Sequence, residues 1–288
     1  MADSSEGDAG PAPQPRGLIE IDGYRLSARI TGSGTPPVVY LSGLWIDEPG
    51  DDYDVDPGSG WHQVLGLLGD TTTSVLYDRA GVGRSDPAPE GRQGGGAMAA
   101  ADELHQLLTA VEIVTPVVLV GHSLGGLTAE SFARAYPCET AGLVSVDGTP
   151  REFYREGRKD PLLVEGRGGR RFHMLNDDSA TQRYPAPLRI PAVVLASNVD
   201  RWRSPPPTRD TDSTSFDELW QGWQRATAAR LNAVHVLAHT ASHVIHRESP
   251  ALVAHAVDAV VRAVRERRAQ AHLDPRHVHE AGGRLVTG

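Results

Sequence analysis

The chain predicts a doubly wound, mostly parallel α/β sheet, and three features of the sequence carry that reading. Short, near-continuous apolar runs recur as "PPVVYLSG", "SVLYD", "TPVVLVG", "AGLVSVD", "IPAVVLAS" and "NAVHVLAH". Strands of this composition are buried on both faces, as the strands of a parallel sheet are. From about residue 61 onward these runs alternate with helical patterns. At the start, "GLIEIDGYRLSARITGSG" alternates apolar and polar residues around Asp22-Gly23, the signature of a β-hairpin that adds antiparallel strands at one edge. Sheets of this kind bind their ligands at the carboxyl ends of the strands.

The elements follow in order. Residues 1–16 are acidic and Pro-rich and read as a disordered tail with no signal-peptide apolar core. The hairpin and "PPVVYLSG" come next, then an acidic, turn-rich insertion over 45–60. "WHQVLGLLGD" has helical spacing, and "SVLYD" runs into the loop "RAGVGRSDPAP". "AMAAADELHQLLTAVEI" is amphipathic at the helical period. "TPVVLVG" leads into the helix "LGGLTAESFARAYP", stopped by Pro137. After the sixth strand, "AGLVSVD", a short charged lid is expected over about 149–190. The strands "IPAVVLAS" and "NAVHVLAH" follow, and "SPALVAHAVDAVVRAVRERR" is a long final helix with Ser249 as N-cap and Pro250 in the first turn. The expected organisation is one domain over 17–268 and a C-terminal tail over 269–288.

Composition narrows the function. With a net charge of −9, nothing favours nucleic acid or an anionic membrane surface as a partner. No apolar run approaches the roughly 20 residues that span a bilayer. A single cysteine, Cys138, cannot form an internal disulfide, which fits a reducing compartment and a cytoplasmic location. "GVGRS" and "GSGTPP" superficially look like nucleotide loops, but neither is a G-x-G-x-x-G in the right place and no P-loop lysine is present, Lys159 being the only lysine. No cofactor is expected.

The chemistry concentrates at "VVLVGHSLGG". Gly121-His122-Ser123-Leu124-Gly125 fits G-x-S-x-G between a strand and a helix, the context that motif requires. A sharp turn there lifts the Ser123 hydroxyl above the sheet, and the helix N-terminus beneath it favours developing negative charge. Serine needs a base to act as a nucleophile. Among 12 histidines, His243 in "ASHVIHRESPALV" lies on the loop between the last strand and the final helix, at the same end of the sheet as Ser123. His246 is nearer the helix cap and suits a supporting or surface role, while His122 is expected to pack. A metal cluster of His239, His243 and His246 is disfavoured, because their spacing suits a helix and the segment is a strand-to-loop transition; no metal is expected. Asp147 and Asp200 both follow strands and either could orient the histidine. Backbone N–H groups of Leu124 and Leu44 are the candidates for binding an oxyanion.

These stretches resemble the α/β-hydrolase superfamily over roughly residues 24–265. "GHSLGG" is similar to its nucleophile elbow, "YDRAGVGRSDPAP" to the loop after its fourth strand, and "SHVIHRESPALV" to its histidine loop and final helix. "LSGLW" further resembles a bacterial subgroup with "SG" in place of "HG" before the oxyanion loop. That subgroup usually carries its acid after the sixth strand, which favours Asp147; the wider superfamily carries it after the seventh, which keeps Asp200 as the alternative. The resemblance implies a serine hydrolase fold and no particular substrate.

The leading expectation is an esterase-type serine hydrolase, with Ser123, His243 and Asp147 acting on a carboxylic ester or related acyl bond of a small, neutral or apolar molecule. The same groups could instead serve a biosynthetic cyclisation, transacylation or lyase step, and a ligand receptor with vestigial catalysis is a third reading. Phe153, Tyr154, Phe172, Met174 and Leu175 are candidates to line an acyl or ring pocket, or simply to pack the lid. Oligomeric state is not encoded in any feature of the sequence.

Overall fold

Parallel strands need crossovers, and the helical segments between the apolar runs supply them. In a computed structural model, the described residues are 16–43, 58–89, 96–155, 163–165, 171–173, 188–198 and 213–286. The strands are β1 (Arg16–Ile21), β2 (Tyr24–Thr31), β3 (Val38–Leu41), β4 (Ser74–Tyr77), β5 (Val117–His122), β6 (Thr140–Val146), β7 (Leu163–Glu165), β8 (Arg171–His173), β9 (Ala192–Ser197), β10 (Val234–Ala238) and β11 (Gly283–Leu285). The α-helices are α1 (His62–Leu68), α2 (Gly96–Ala110), α3 (Leu124–Ala135), α4 (Arg151–Arg155), α5 (Ser213–Leu231), α6 (Ile245–Glu248), α7 (Pro250–Arg265) and α8 (Pro275–Glu280).

One nine-stranded sheet runs in the order β1-β2-β4-β3-β5-β6-β9-β10-β11. The pairs from β4 through β10 are parallel, whereas β1 with β2, β2 with β4, and β10 with β11 are antiparallel. The expected α/β-hydrolase architecture is therefore present, hairpin edge included. Helices cover both faces. On one, α1 and α7 pack over Val118, Val144, Val193 and Val236. On the other, α2 and α3 pack over Val39, Val75, Leu119 and Leu143. All four residues of β3 and of β4, and all six of β5 and of β9, are buried, as two-sided coverage demands.

Two elements differ from the sequence expectation. The first is α5, a 19-residue helix that the apolar pattern did not reveal. Its buried face is mixed. Phe216, Trp220, Trp223 and Ala228 alternate with Asp217, Gln221, Gln224 and Thr227, all buried. A hydrophobic stripe cannot be read where half the inward positions are polar. The second is the segment 269–288, expected to be a tail. Through residue 286 it is built into the fold. Asp274 caps α8 by accepting a hydrogen bond from the Arg276 N–H at 2.8 Å, Pro275 occupies the first turn, and β11 adds an antiparallel strand to β10. Ala271, Leu273 and Val278 join the core beside α7. A few apolar anchors and the pairing with β10 hold an otherwise polar segment, so composition concealed it.

Ser249 does stand at the N-cap of α7, but its hydroxyl makes no side-chain cap and lies 3.2 Å from that of Thr240. Within the expected lid, the described regular elements are α4 and the small antiparallel pair β7–β8. The acidic stretch 45–60 lies outside the described residues except for 58–60.

The docked C-terminal segment makes a test of its own. Val278→Ala is expected to lower stability by about 2 kcal/mol, the scale of a buried aliphatic truncation. A free tail would tolerate the change within about 0.5 kcal/mol; urea denaturation distinguishes the two.

Candidate functional site

The site forms at the carboxyl ends of four adjacent parallel strands. Register sets it: His122 pairs with Val146, Val146 with Leu195, and Ala238 with Ser197. One residue beyond the first pair, Ser123 and Asp147 emerge side by side, and the loop after β10 brings His243 across them.

Ser123 sits at φ 52°, ψ −122°, between the end of β5 and the start of α3. A non-glycine residue held there is strained by roughly 1–3 kcal/mol. The turn is possible only because its neighbours lack side chains. A Cβ on Gly121 would lie 2.3 Å from the Gly125 carbonyl oxygen, and one on Gly125 would lie 2.2 Å from the Leu41 carbonyl oxygen. The Ser123 carbonyl accepts from the N–H groups of Gly126 at 2.9 Å and Thr149 at 2.8 Å, which ties the turn to the β6 end.

His243 Nε2 lies 3.0 Å from Ser123 Oγ, and its Nδ1 lies 2.7 Å from Asp147 Oδ2. The second distance is that of a charge-assisted hydrogen bond. The Asp147 side chain is 0% exposed and that of His243 29% exposed. Asp147 Oδ1 accepts from the Ser197 N–H at 2.8 Å and from Trp220 Nε1–H at 3.0 Å. Burial alone pushes this carboxyl upward. The hydrogen bond and charge of His243, the Trp220 indole and the Ser197 amide together outweigh it and hold Asp147 below the usual carboxylate range.

Of the residues singled out from sequence, the structure thus brings Ser123, His243 and Asp147 together. Leu124 opens α3, where its N–H is among the first four that have no acceptor within the helix. Leu44 and Asp200 lie outside the described residues, as do Met174 and Leu175. His239 is exposed, its ring 6.1 Å from that of His279, and does not converge with the other two histidines of its segment.

His246 is not on the surface. It is 5% exposed and packs, with its ring tilted, between Trp61, at 4.6 Å, and His122, at 4.4 Å. His122 in turn packs against His243 at 4.7 Å, and its Nε2–H donates to the His243 carbonyl at 2.8 Å. That bond fixes the loop carrying His243, so His122 does more than fill space. Burial, with the neighbouring His243, lowers His122 to about 3; burial, with His122 and Arg247, holds His246 well below the usual histidine range.

Three contributors were missed in the sequence. Arg79, in "YDRAGVGRS", is buried and donates to the carbonyls of Ser42 and Gly43 at 2.5 and 2.6 Å, pinning the segment that leads to Leu44. Its place in a motif without an assigned role was the available signal. Thr149 brings its hydroxyl 3.4 Å from that of Ser123, long for a hydrogen bond between hydroxyls. Trp220 comes from α5 and had no signal, since the helix itself was not legible. Phe153, a pocket candidate, is instead packed edge-on against Phe216, Trp220 and Trp223 at 6.0–6.3 Å between centroids.

The chain belongs to the alpha/beta hydrolase family, whose sequence pattern matches residues 38–286. It is similar to the uncharacterized protein YbdG of Bacillus subtilis, 24% identical over 62% of this chain and 51% of that one. It is also similar to the uncharacterized protein Rv2715 of Mycobacterium tuberculosis, 32% identical over 65% of this chain and 48% of that one. The chain thus spans about half the length of these relatives. Among solved structures, a thermophilic esterase from Thermogutta terrifontis superposes with a TM-score of 0.61 at 22% identity, covering 88% of this chain and 99% of the esterase. That likeness shows the fold. Among the described residues, no helix is long and apolar enough to cross a membrane.

The buried histidines make stability pH-dependent. His122 is lowered to about 3 and His235, by burial and Arg225, to about 4, against a reference of 6.5. Each is neutral when folded and protonates more readily when unfolded. Their contribution is complete above pH 6.5 and is lost as pH falls toward the folded values. Between pH 6.5 and 5, stability is expected to fall by up to about 1.4 kcal/mol per pH unit for each such group. In His122→Gln, urea titrations across this window should show a shallower slope; an unchanged slope would mean that His122 titrates alike in both states.

Proposed function

We propose that this protein is an esterase-type serine hydrolase, acting on a carboxylic ester or related acyl bond through Ser123, His243 and Asp147. The observation that carries the reading is the continuous pair of contacts at 3.0 and 2.7 Å from the Ser123 hydroxyl through His243 to a fully buried Asp147. In this reading Ser123 Oγ attacks the carbonyl carbon and its proton passes to His243 Nε2. Asp147 holds the imidazole by Nδ1–H and stabilises the imidazolium without itself taking the proton. The Leu124 N–H binds the oxyanion, with the Leu44 N–H as its proposed partner. His243 then gives its proton to the leaving alkoxide. Water, deprotonated by His243, attacks the acyl-enzyme and releases the acid and Ser123.

An acid that follows the sixth strand is also what supports placing the chain in the bacterial subgroup with "SG" before the oxyanion loop. A small, neutral or apolar substrate fits the net charge of −9, which disfavours anions. A cytoplasmic setting is part of the same proposal.

Two sets of variants test the assignment with p-nitrophenyl acyl esters and a fluorophosphonate probe. Ser123→Ala should abolish covalent labelling and cut kcat on the order of 10³-fold or more. Labelling at another serine with the rate retained would contradict the elbow assignment. Asp147→Asn should lower kcat by as much as ~10⁴-fold, because the amide favours the wrong imidazole tautomer. Asp200→Asn should change it by less than about tenfold, the scale of a surface or capping role; the reverse pattern would move the acid to the segment after β9.

A further inference from the structure

Asp147 uses one oxygen for His243. The other accepts from the Ser197 amide and from a tryptophan that reaches it from a helix distant in sequence. We propose that Trp220 is a positioning residue for the proposed Ser123–His243–Asp147 chain: its indole N–H locks the orientation of the carboxylate and draws charge toward Oδ1, which sets how firmly Oδ2 holds the imidazolium of His243. The inference rests on the function proposed above and deepens it.

The geometry argues for more than packing. Trp220 is 2% exposed, and a buried indole N–H needs an acceptor. A backbone carbonyl would satisfy that need; here the acceptor is the one carboxylate that faces the base, at 3.0 Å. The same ring lies 5.9 Å from the His243 ring and nearly perpendicular to it, at 82°. One side chain therefore abuts both members of the pair. Its position is fixed from several sides. Along α5, Gln221 donates to the Ser197 carbonyl and Gln224 Nε2 to the Gly148 carbonyl at 2.8 Å, so the helix docks on the end of β9 and on the residue that follows Asp147 after β6. Further along, Arg230 pairs with the buried Glu130 of α3 at 2.9 Å, with Arg134 on the same carboxylate. Phe153, Phe216 and Trp223 close around the indole ring.

The direction of the effect follows from charge. A donor on Oδ1 stabilises the carboxylate and weakens its pull on the proton shared through Oδ2. Without that donor, Oδ2 carries more charge, the imidazolium is held more tightly, and His243 titrates at higher pH. Among the described residues, the other charged or titratable groups facing His243 include His122, packed on its ring, and, behind it, His246 and Arg247. His122 and His246 stay neutral near neutral pH, so they do not mask the shift.

The test is an NMR titration of the His243 Cε1–H in Trp220→Phe, which keeps an aromatic ring and loses the N–H, beside the pH dependence of fluorophosphonate inactivation. The expected result is an upward move of the His243 midpoint by roughly half a pH unit, with the inactivation profile displaced by the same amount and the rate at neutral pH lowered by at most about threefold. Trp223→Phe, which alters the same aromatic cluster without touching Asp147, should lower stability and leave the midpoint in place. Should Trp220→Phe fail to fold, site-specific β-(3-benzothienyl)alanine at position 220 keeps the bicyclic shape and replaces N–H by sulfur. A midpoint within about 0.1 unit of the unmodified protein, with an inactivation profile that does not move, would overturn the inference. So would an equal shift in Trp223→Phe. Failure of the underlying reading has a different signature: the probe would then react at a residue other than Ser123 in the unmodified protein.

Discussion

The constraint on which the rest of this structure depends is the burial of one carboxylate. Asp147 is 0% exposed, and a lone buried anion would be prohibitively costly. It is tolerated because three donors from three places converge on it: the Ser197 amide at the end of β9, the Trp220 indole of α5, and the His243 imidazole beyond β10. Removing one partner of such a group costs more than the bond itself, because the charge left behind is uncompensated. The order of β5, β6, β9 and β10 in the sheet, the docking of α5 and the path of the histidine loop are thereby coupled at a single atom pair.

Around that anchor the site is built on rigid supports. Ser123 is held in a strained turn by glycines whose Cβ positions are occupied by backbone. The loop before Leu44 is pinned by Arg79, and the His243 loop by the bond from His122. His122 itself is backed by His246 and Trp61. A row of neutral, mutually tilted rings backs His243 while leaving its two nitrogens for Ser123 and Asp147. In the proposed reaction, groups held at fixed distances lose little freedom on reaching the transition state, which is where such preorganisation would contribute.

Much of this was legible in the sequence, for definite reasons. The parallel strands are apolar on both faces, so they stand out as continuous runs, and their order with the helices gives the fold. Ser123 was legible because G-x-S-x-G has a strict steric requirement. His243 stood out because it follows the last parallel strand and so lies at the same end of the sheet as Ser123; Asp147 shared that signal with Asp200, and only the subgroup resemblance separated the two. What escaped was stabilised by groups that composition hides. Helix α5 buries Asp217, Gln221 and Gln224 alongside its aromatics, so no apolar stripe marked it, and Trp220 went with it. The segment around α8 and β11 is attached through a few anchors and the edge of β10, a pairing that depends on tertiary structure alone.

The most direct measurement of the central claim is the mass of the acyl-enzyme. The protein is mixed with a p-nitrophenyl ester, quenched in acid during the first turnovers, digested and analysed by mass spectrometry. The account predicts an increment equal to the acyl group on the peptide containing Gly121–Gly126, localised by fragmentation to Ser123. An acyl group found on another residue, or turnover with no adduct at Ser123 even when deacylation is slowed by low temperature, would contradict it.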